Sequence, residues 1–251
     1  LSPKLHNFWI KKNNINAVYD KIKLEESELE DFINKLRNEE IHGINVTVPF
    51  KNKIIQYLDE LSDEAKSTQS VNTIYCNKNK VVGHNTDIEG FKKSIQNINF
   101  DIANKKALIL GAGGVVPSII IGLNDLEIGK IIITNRTRSK AEELKKLFCN
   151  LEIIDWGEVC DFDIIINATS VGLNKNDKLN LNLSDIENNK LFYDVIYNPA
   201  ETNFLKEAKK LGNKTENGKL MFLYQAFEAF KLWHGIHPQI NTETHKILNN
   251  D

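Results

Sequence analysis

The 251-residue sequence predicts an α/β protein of two domains, the second built on a doubly wound parallel sheet. Three observations lead there. From Lys106 onward, short apolar runs alternate with amphipathic stretches of helical period, the rhythm of strand and crossover helix. The first of those runs, Lys106-Ala-Leu-Ile-Leu110, empties directly into Gly111-Ala-Gly-Gly114. Residues 219–233 are apolar on nearly every face, which marks a helix buried within the protein rather than lying on its surface.

The elements follow in order. Residues 28–37 place Leu29, Phe32, Ile33 and Leu36 at helical spacing, with Ser27 and Glu30 forming a capping-box pair. Residues 43–48 form a strand that Pro49 stops, because proline has no N–H to offer a ladder. A helix over 51–61, short strands at 72–76 and 81–83, and a helix over 86–97 come next. The parallel sheet draws strands from 106–110, 130–134, 151–154, 163–167 and 191–196, with helices at 115–125, 138–148 and 202–211. Pro117 suits the first turn of its helix, where a missing N–H costs little. The predicted division is 1–86 as one domain completed by 219–251, 87–105 as a connecting helix and linker, and 106–218 as the second domain. The two crossing segments suggest a hinge between domains separated by a cleft.

Composition bounds the function. The chain is 41% hydrophobic and 26% charged with a formal net charge of -2, ordinary for a globular protein. That balance, with lysines interleaved among Asp, Glu and Asn, argues against nucleic acid or an acidic membrane as partner. No apolar run reaches membrane-spanning length and no secretory pattern opens the chain, so a cytoplasmic location is expected. The three cysteines, Cys76, Cys149 and Cys160, are scattered and suit reduced thiols. His234 and His237 lack further ligands, so no metal is expected.

The glycine turn predicts a dinucleotide site. Glycines between a strand and a helix let backbone N–H groups approach a pyrophosphate, and the helix N-terminus adds favourable potential. The third glycine of the usual G-x-G-x-x-G pattern falls on Val116, while Gly114 is an addition. In an NAD site the second strand ends in Asp or Glu, which bonds the ribose 2′-hydroxyl. Here residues 130–135 run into Arg136-Thr-Arg-Ser-Lys140. A carboxylate would repel a 2′-phosphate, whereas a guanidinium forks onto one, so the cofactor is NADP. Arg136 is the main fork, Thr137 a hydroxyl donor, and Lys140 or Arg138 a source of added charge.

Two polar groups in the N-terminal part could carry chemistry. Lys51 follows Asn45-Val-Thr-Val-Pro-Phe50, and Asp87 ends Gly83-His-Asn-Thr-Asp87. Taken singly, a solvated first-turn lysine and a helix N-cap explain them equally well.

Together with the rest of the chain, these residues resemble the shikimate dehydrogenase family along essentially the whole length. The blocks are Ser2-Pro-Lys-Leu-His-Asn7, Asn45 through Lys51, Val71-Asn-Thr73, Gly83 through Asp87, Gly111 through Gly114, and Asn135 through Lys140. They continue with Asn167-Ala-Thr-Ser-Val-Gly172, Tyr193-Asp-Val-Ile-Tyr197, Gly218 through Gln225 and Trp233-His-Gly235. The resemblance implies an α/β substrate domain, a Rossmann-like NADP domain, and reversible NADP-dependent reduction of 3-dehydroshikimate to shikimate, within chorismate and aromatic amino-acid biosynthesis. It implies that Lys51 and Asp87 flank the reacting oxygen as catalytic and substrate-binding residues. It places Ser2, Thr47, Asn72, Tyr197 and Gln225 on the substrate's carboxylate and hydroxyls. For the cofactor it implies Gly111, Ala112, Gly113, Gly114, Val115, Asn135, Arg136, Thr137 and Lys140, with Ala168, Thr169, Ser170 and Gly218 on the nicotinamide side. Monomer and homodimer both remain open; quinate is the alternative substrate within the same fold, and a non-catalytic NADP-binding module is the rival reading from another class.

The chemistry suits these residue types. Hydride arriving at a ketone carbon leaves an alkoxide, and an ammonium can stabilise and then protonate it. A polyhydroxylated acid calls for hydroxyl and amide ligands, and Gln225 is an amide in an otherwise apolar helix. The sequence departs from the family at two points. Lys140 stands where arginine is frequent, and the family's first serine and strand would precede Leu1.

Overall fold

The computed structural model describes residues 1–174, 176–179, 181–183 and 186–249. It resolves into two compact units, Leu1–Thr86 with Leu223–Asp251, and Asp87–Phe222. Residues 250 and 251 of the predicted closing segment lie outside the described residues.

The first unit opens with α1 (Ser2–Lys12) and α2 (Leu29–Arg37), then β1 (Gly43–Asn45), β2 (Glu60–Leu61), α3 (Asp63–Thr68), β3 (Thr73–Asn77) and β4 (Lys80–His84). Its sheet has the order β1-β3-β4-β2. Strands β3 and β4 form a hairpin whose two turn residues, Lys78 and Asn79, take φ of 49° and 63°, the left-handed pair that matches strand twist. The apolar stripe of α2, Leu29, Ile33 and Leu36, packs on Ile74 and Val81 of that hairpin. Burying each such side chain stabilises by about 1.5–3 kcal/mol at most.

Three expectations change here. The strand predicted over 43–48 ends at Asn45, although Val46 still donates to Asn72 O at 2.8 Å. Beyond it the chain turns, with a cis Val48–Pro49 bond and Phe50 N–H on Thr47 O at 3.0 Å. The helix predicted over 51–61 is reduced to a 3₁₀ run, Lys53–Tyr57. Asp59 explains that: its N–H reaches Val81 O at 3.0 Å and its carboxylate accepts from Val81 N–H at 2.7 Å, drawing the chain onto the edge of β4. The capping box also sits earlier, on Glu25 and Glu28 rather than Ser27 and Glu30, because a 3₁₀ turn over Glu26–Glu28 precedes α2.

The second unit contains α4 (Asp87–Asn97), β5 (Lys106–Leu110), α5 (Val116–Asp125), β6 (Lys130–Thr134), α6 (Arg138–Leu147), β7 (Leu151–Ile153), β8 (Ile164–Asn167), β9 (Leu191–Asp194), α7 (Asn203–Lys210) and β10 (Lys214–Glu216). The all-parallel order β10-β9-β8-β5-β6-β7 is that of a doubly wound dinucleotide-binding sheet. The central strands β9, β8, β5 and β6 are buried on both faces, which is why they read as near-continuous apolar runs. Ala107, Ile109, Ile131, Ile133, Ile164 and Ile166 pack on one side with Ile119 and Ile120 of α5. Leu108, Ile132, Ile165 and Phe192 pack on the other with Phe204 and Leu205 of α7. Helix α4 joins the first of these layers: a Cβ on Gly122 would lie 2.7 Å from Phe91 Cδ1.

Helix α8 (Lys219–His234) runs from the second unit into the first, and α9 (Thr242–Asn249) follows. Near its end the Trp233 indole N–H donates to Ile74 O at 3.0 Å, its ring filling the space where Gly43 lacks a side chain. Among the described residues, no helix is long and apolar enough to cross a membrane.

Candidate active site

In a doubly wound sheet, ligands bind outside the carboxyl ends of the strands where the order reverses. Here that point lies between β5 and β8. Gly111 follows β5 with φ of 108°, and an added Cβ would sit 3.0 Å from Ala168 O and 3.0 Å from Thr169 Cγ2. The next two glycines differ. A Cβ on Gly113 would meet only Ala168 O, at 3.8 Å, and one on Gly114 would meet nothing within 4 Å. The turn therefore keeps open space over its backbone, at the start of a helix whose N-cap residue, Val115, makes no side-chain cap bond. That is the cradle a pyrophosphate requires.

The basic cluster at the end of β6 divides sharply. Arg136 and Lys140 are exposed, and neither forms an ion pair among the described residues. Arg138, predicted as a possible source of phosphate charge, is instead committed to two carboxylates, Asp155 and Glu142. Thr137 is the N-cap of α6 but makes no side-chain cap bond, while Asn135 Nδ2 donates to Thr137 O at 2.7 Å. The residues present suit the adenosine end of NADP, with the cations of Arg136 and Lys140 exposed there.

On the other side of the switch point, Asn167 organises the loop that follows β8. Its Oδ1 accepts from the Thr169 N–H at 3.1 Å and hydroxyl at 2.7 Å, with Ala168 and Thr169 beside the glycine turn and Ser170 following. Gly218 is buried, donates to Ile196 O at 3.1 Å, and has no room for a side chain, since a Cβ would meet Val195 O at 2.1 Å. Tyr197 packs its ring on Phe222 with centroids 5.0 Å apart. Asp87 begins α4 and is buried; a carboxylate there is favoured by the helix dipole.

In the first unit two of the predicted substrate ligands, Ser2 and Asn72, share one polar network. Buried Asn72 donates from Nδ2 to Thr86 Oγ1 at 3.0 Å and accepts on Oδ1 from Thr86 N–H at 2.8 Å. Thr73 adds its hydroxyl to Asn72 Oδ1 at 3.1 Å. Asn45 bridges onward, from Thr73 Oγ1 at 3.1 Å to the Tyr19 hydroxyl, which donates to Asn45 Oδ1 at 2.9 Å. The Ser2 hydroxyl also bonds the Tyr19 phenol, whose pKa burial pushes up to about 12. So Ser2 and Asn72 are tied together through Tyr19 and Asn45. Lys51 is half-buried, and its carbonyl accepts from Val71 N–H at 2.7 Å, next to Asn72. Thr47 is exposed on the turn before it, and Gln225 is half-buried on α8. Sequence reasoning missed Tyr19, which lies in an irregular segment with no periodicity, and Thr86, although it sits inside a quoted block. No cluster of His, Cys, Asp and Glu suited to a metal occurs among the described residues.

Comparison with known proteins bears on this arrangement. Residues 1–74 match the shikimate dehydrogenase substrate binding domain, and residues 93–199 match shikimate / quinate 5-dehydrogenase. An NADP(+) shikimate dehydrogenase of Pelagibacter ubique is 60% identical over 99% of this chain and 94% of its own length. The crystal structure of shikimate dehydrogenase from Aquifex aeolicus superposes with a TM-score of 0.91 at 36% identity, covering 100% of this chain and 93% of that one. The Thermus thermophilus enzyme, in complex with NADP(H) and shikimate, gives 0.90 at 27% identity over 99% and 93%.

Proposed function

This chain belongs to the shikimate dehydrogenase family, and we propose that Lys51 and Asp87 carry its chemistry, the reversible NADP-dependent reduction of 3-dehydroshikimate to shikimate. The observation that carries the cofactor assignment is Arg136, exposed and without an ion pair among the described residues at the end of β6, while Arg138 is tied to carboxylates. No acidic residue stands at that strand end to prefer a bare ribose.

When bound, NADP accepts or returns the hydride that interconverts alcohol and ketone. Gly111 through Val115 would hold its pyrophosphate; Asn135, Arg136, Thr137 and Lys140 its phosphorylated ribose; Ala168, Thr169, Ser170 and Gly218 its nicotinamide side. The Lys51 ammonium hydrogen-bonds the reacting oxygen, stabilises the negative charge that develops there, and supplies the proton in the reductive direction. Asp87 accepts from a substrate hydroxyl. Ser2, Thr47, Asn72, Tyr197 and Gln225 satisfy the carboxylate and remaining hydroxyls; the network behind Ser2 and Asn72 holds both ligands oriented before substrate arrives.

The same reading places the enzyme in the cytoplasm, as monomer or homodimer, within chorismate and aromatic amino-acid biosynthesis. Its cysteines are free thiols among the described residues. The test is reduced-nicotinamide absorbance with shikimate or quinate as substrate and NADP or NAD as cofactor. Turnover is expected chiefly with shikimate and NADP. Comparable quinate turnover would move the chain to the broader branch named by its second family match. Preference for NAD would refute the role given to Arg136.

A further inference from the structure

The polar groups at the carboxyl ends of β8 and β9 converge on one carboxylate that the reaction above does not use. Asp194 closes β9 and has no exposed surface. Its Oδ1 accepts from Asn167 Nδ2 at 3.1 Å and from the Ile196 N–H at 3.0 Å. Its Oδ2 accepts from the Thr202 hydroxyl at 2.6 Å. All three partners are neutral donors, and no ion pair engages Asp194 among the described residues. Three donors converging on two oxygens make a socket for an ionised carboxylate, replacing the water that burial removed.

An amide side chain can face either way unless a neighbour decides. A carboxylate only accepts, so Asn167 must turn Nδ2 toward Asp194. Its Oδ1 is then left to receive both the N–H and the hydroxyl of Thr169. Thr169 Oγ1 in turn accepts from Val171 N–H at 3.0 Å, while Asn167 Nδ2 also reaches Val171 O at 3.1 Å. Rotated by half a turn, the amide would set its NH₂ against the Thr169 N–H, donor against donor. The same carboxylate holds the N–H of Ile196, the residue before Tyr197.

We infer that Asp194 is a positioning residue whose negative charge sets the orientation of the Asn167 amide, and so the shape of the 168–172 loop, while anchoring the strand exit that carries Tyr197. This rests on reading Ala168, Thr169 and Ser170 as cofactor contacts and Tyr197 as a substrate contact. Having no exposed surface, Asp194 acts only through its neighbours. Burial raises its pKa, and the hydrogen bonds from Thr202, Ile196 and Asn167 oppose that rise.

Asp194→Asn keeps size and removes the charge. Its kcat for shikimate oxidation with NADP should fall roughly ten- to hundredfold, the cost of a small misplacement at a reacting centre. Its Kd for NADP should change less than about threefold, because the phosphate contacts lie on other loops. A purely structural role would lower the unfolding temperature and leave kcat per folded molecule intact, and that result overturns the inference. Thr202 supplies a milder pair should Asp194→Asn fail to fold. Thr202→Val removes the donor to Oδ2 and should lower kcat several-fold, whereas Thr202→Ser should restore it. Equal kcat in both would overturn the inference. The wild-type protein in the same assay separates the levels: without wild-type turnover the function fails and the inference with it. With wild-type turnover and an undiminished Asp194→Asn, only the anchoring role fails.

Discussion

Gly111 and Ala168 face each other across the switch point so closely that a single methyl group on Gly111 would lie 3.0 Å from the Ala168 carbonyl oxygen. Three residues on, Gly114 faces open space. We propose that the first glycine serves the fold and the second the ligand. Gly111→Ala, strained also by its φ of 108°, should destabilise by about 1–3 kcal/mol in denaturant titration. Gly114→Ala should leave stability within about 0.5 kcal/mol yet weaken NADP binding about tenfold by filling the cradle. Unchanged NADP affinity in Gly114→Ala would show that the cofactor does not use this turn.

Arg136 should discriminate between the two nicotinamide cofactors. Replacing it with Asp puts a carboxylate where the 2′-phosphate is to bind, and NADP affinity should drop by two orders of magnitude or more, roughly the worth of a charge-assisted pair turned repulsive. NAD affinity should move far less. Isothermal titration of both cofactors against wild type and Arg136→Asp checks this, and equal weakening of the two would remove the phosphate from Arg136. Arg138→Ala, by contrast, should barely change the NADP-to-NAD ratio, since Arg138 already bonds Asp155 and Glu142.

His6 makes the first unit sensitive to acid. Its ring is buried, stacked on Tyr19 with centroids 4.4 Å apart, and neither nitrogen has a hydrogen-bond partner among the described residues. Burial, aided by His234, lowers its pKa from 6.5 to about 3. Above pH 6.5 the imidazole is neutral in folded and unfolded chains alike. Between pH 6.5 and 3 the unfolded chain takes up a proton that the folded one refuses, so stability is lost progressively as pH falls, by up to roughly 5 kcal/mol. His6→Phe should flatten that part of the stability profile. Urea midpoints at pH 7 and pH 5 decide it, and an identical drop for both proteins would mean His6 does not titrate this way.

Much of this was legible in the sequence, for physical reasons. A parallel sheet buried on both faces writes runs such as Ile131 to Ile133 and Ile164 to Ile166, and a glycine turn at a strand end has few other uses. Arg136 was legible because its place after β6 is set by that topology. What escaped were interactions between residues far apart in the chain. Nothing local shows that Asp59 would seize Val81 and stop a helix, or that Tyr19 would join Ser2 to Asn45. Asp194 did leave a trace, an acid closing an apolar run, but its partners Asn167 and Thr202 are assembled only by the fold.

The role of Lys51 is the centre of the account, and one comparison tests it directly. Steady-state kcat for shikimate oxidation by Lys51→Ala should fall by at least about a thousandfold, as expected when both proton transfer and charge stabilisation are removed. Its Kd for NADP, measured on the same preparation, should stay within about threefold of wild type. A near-normal kcat with intact cofactor binding would contradict the account and remove Lys51 from the chemistry.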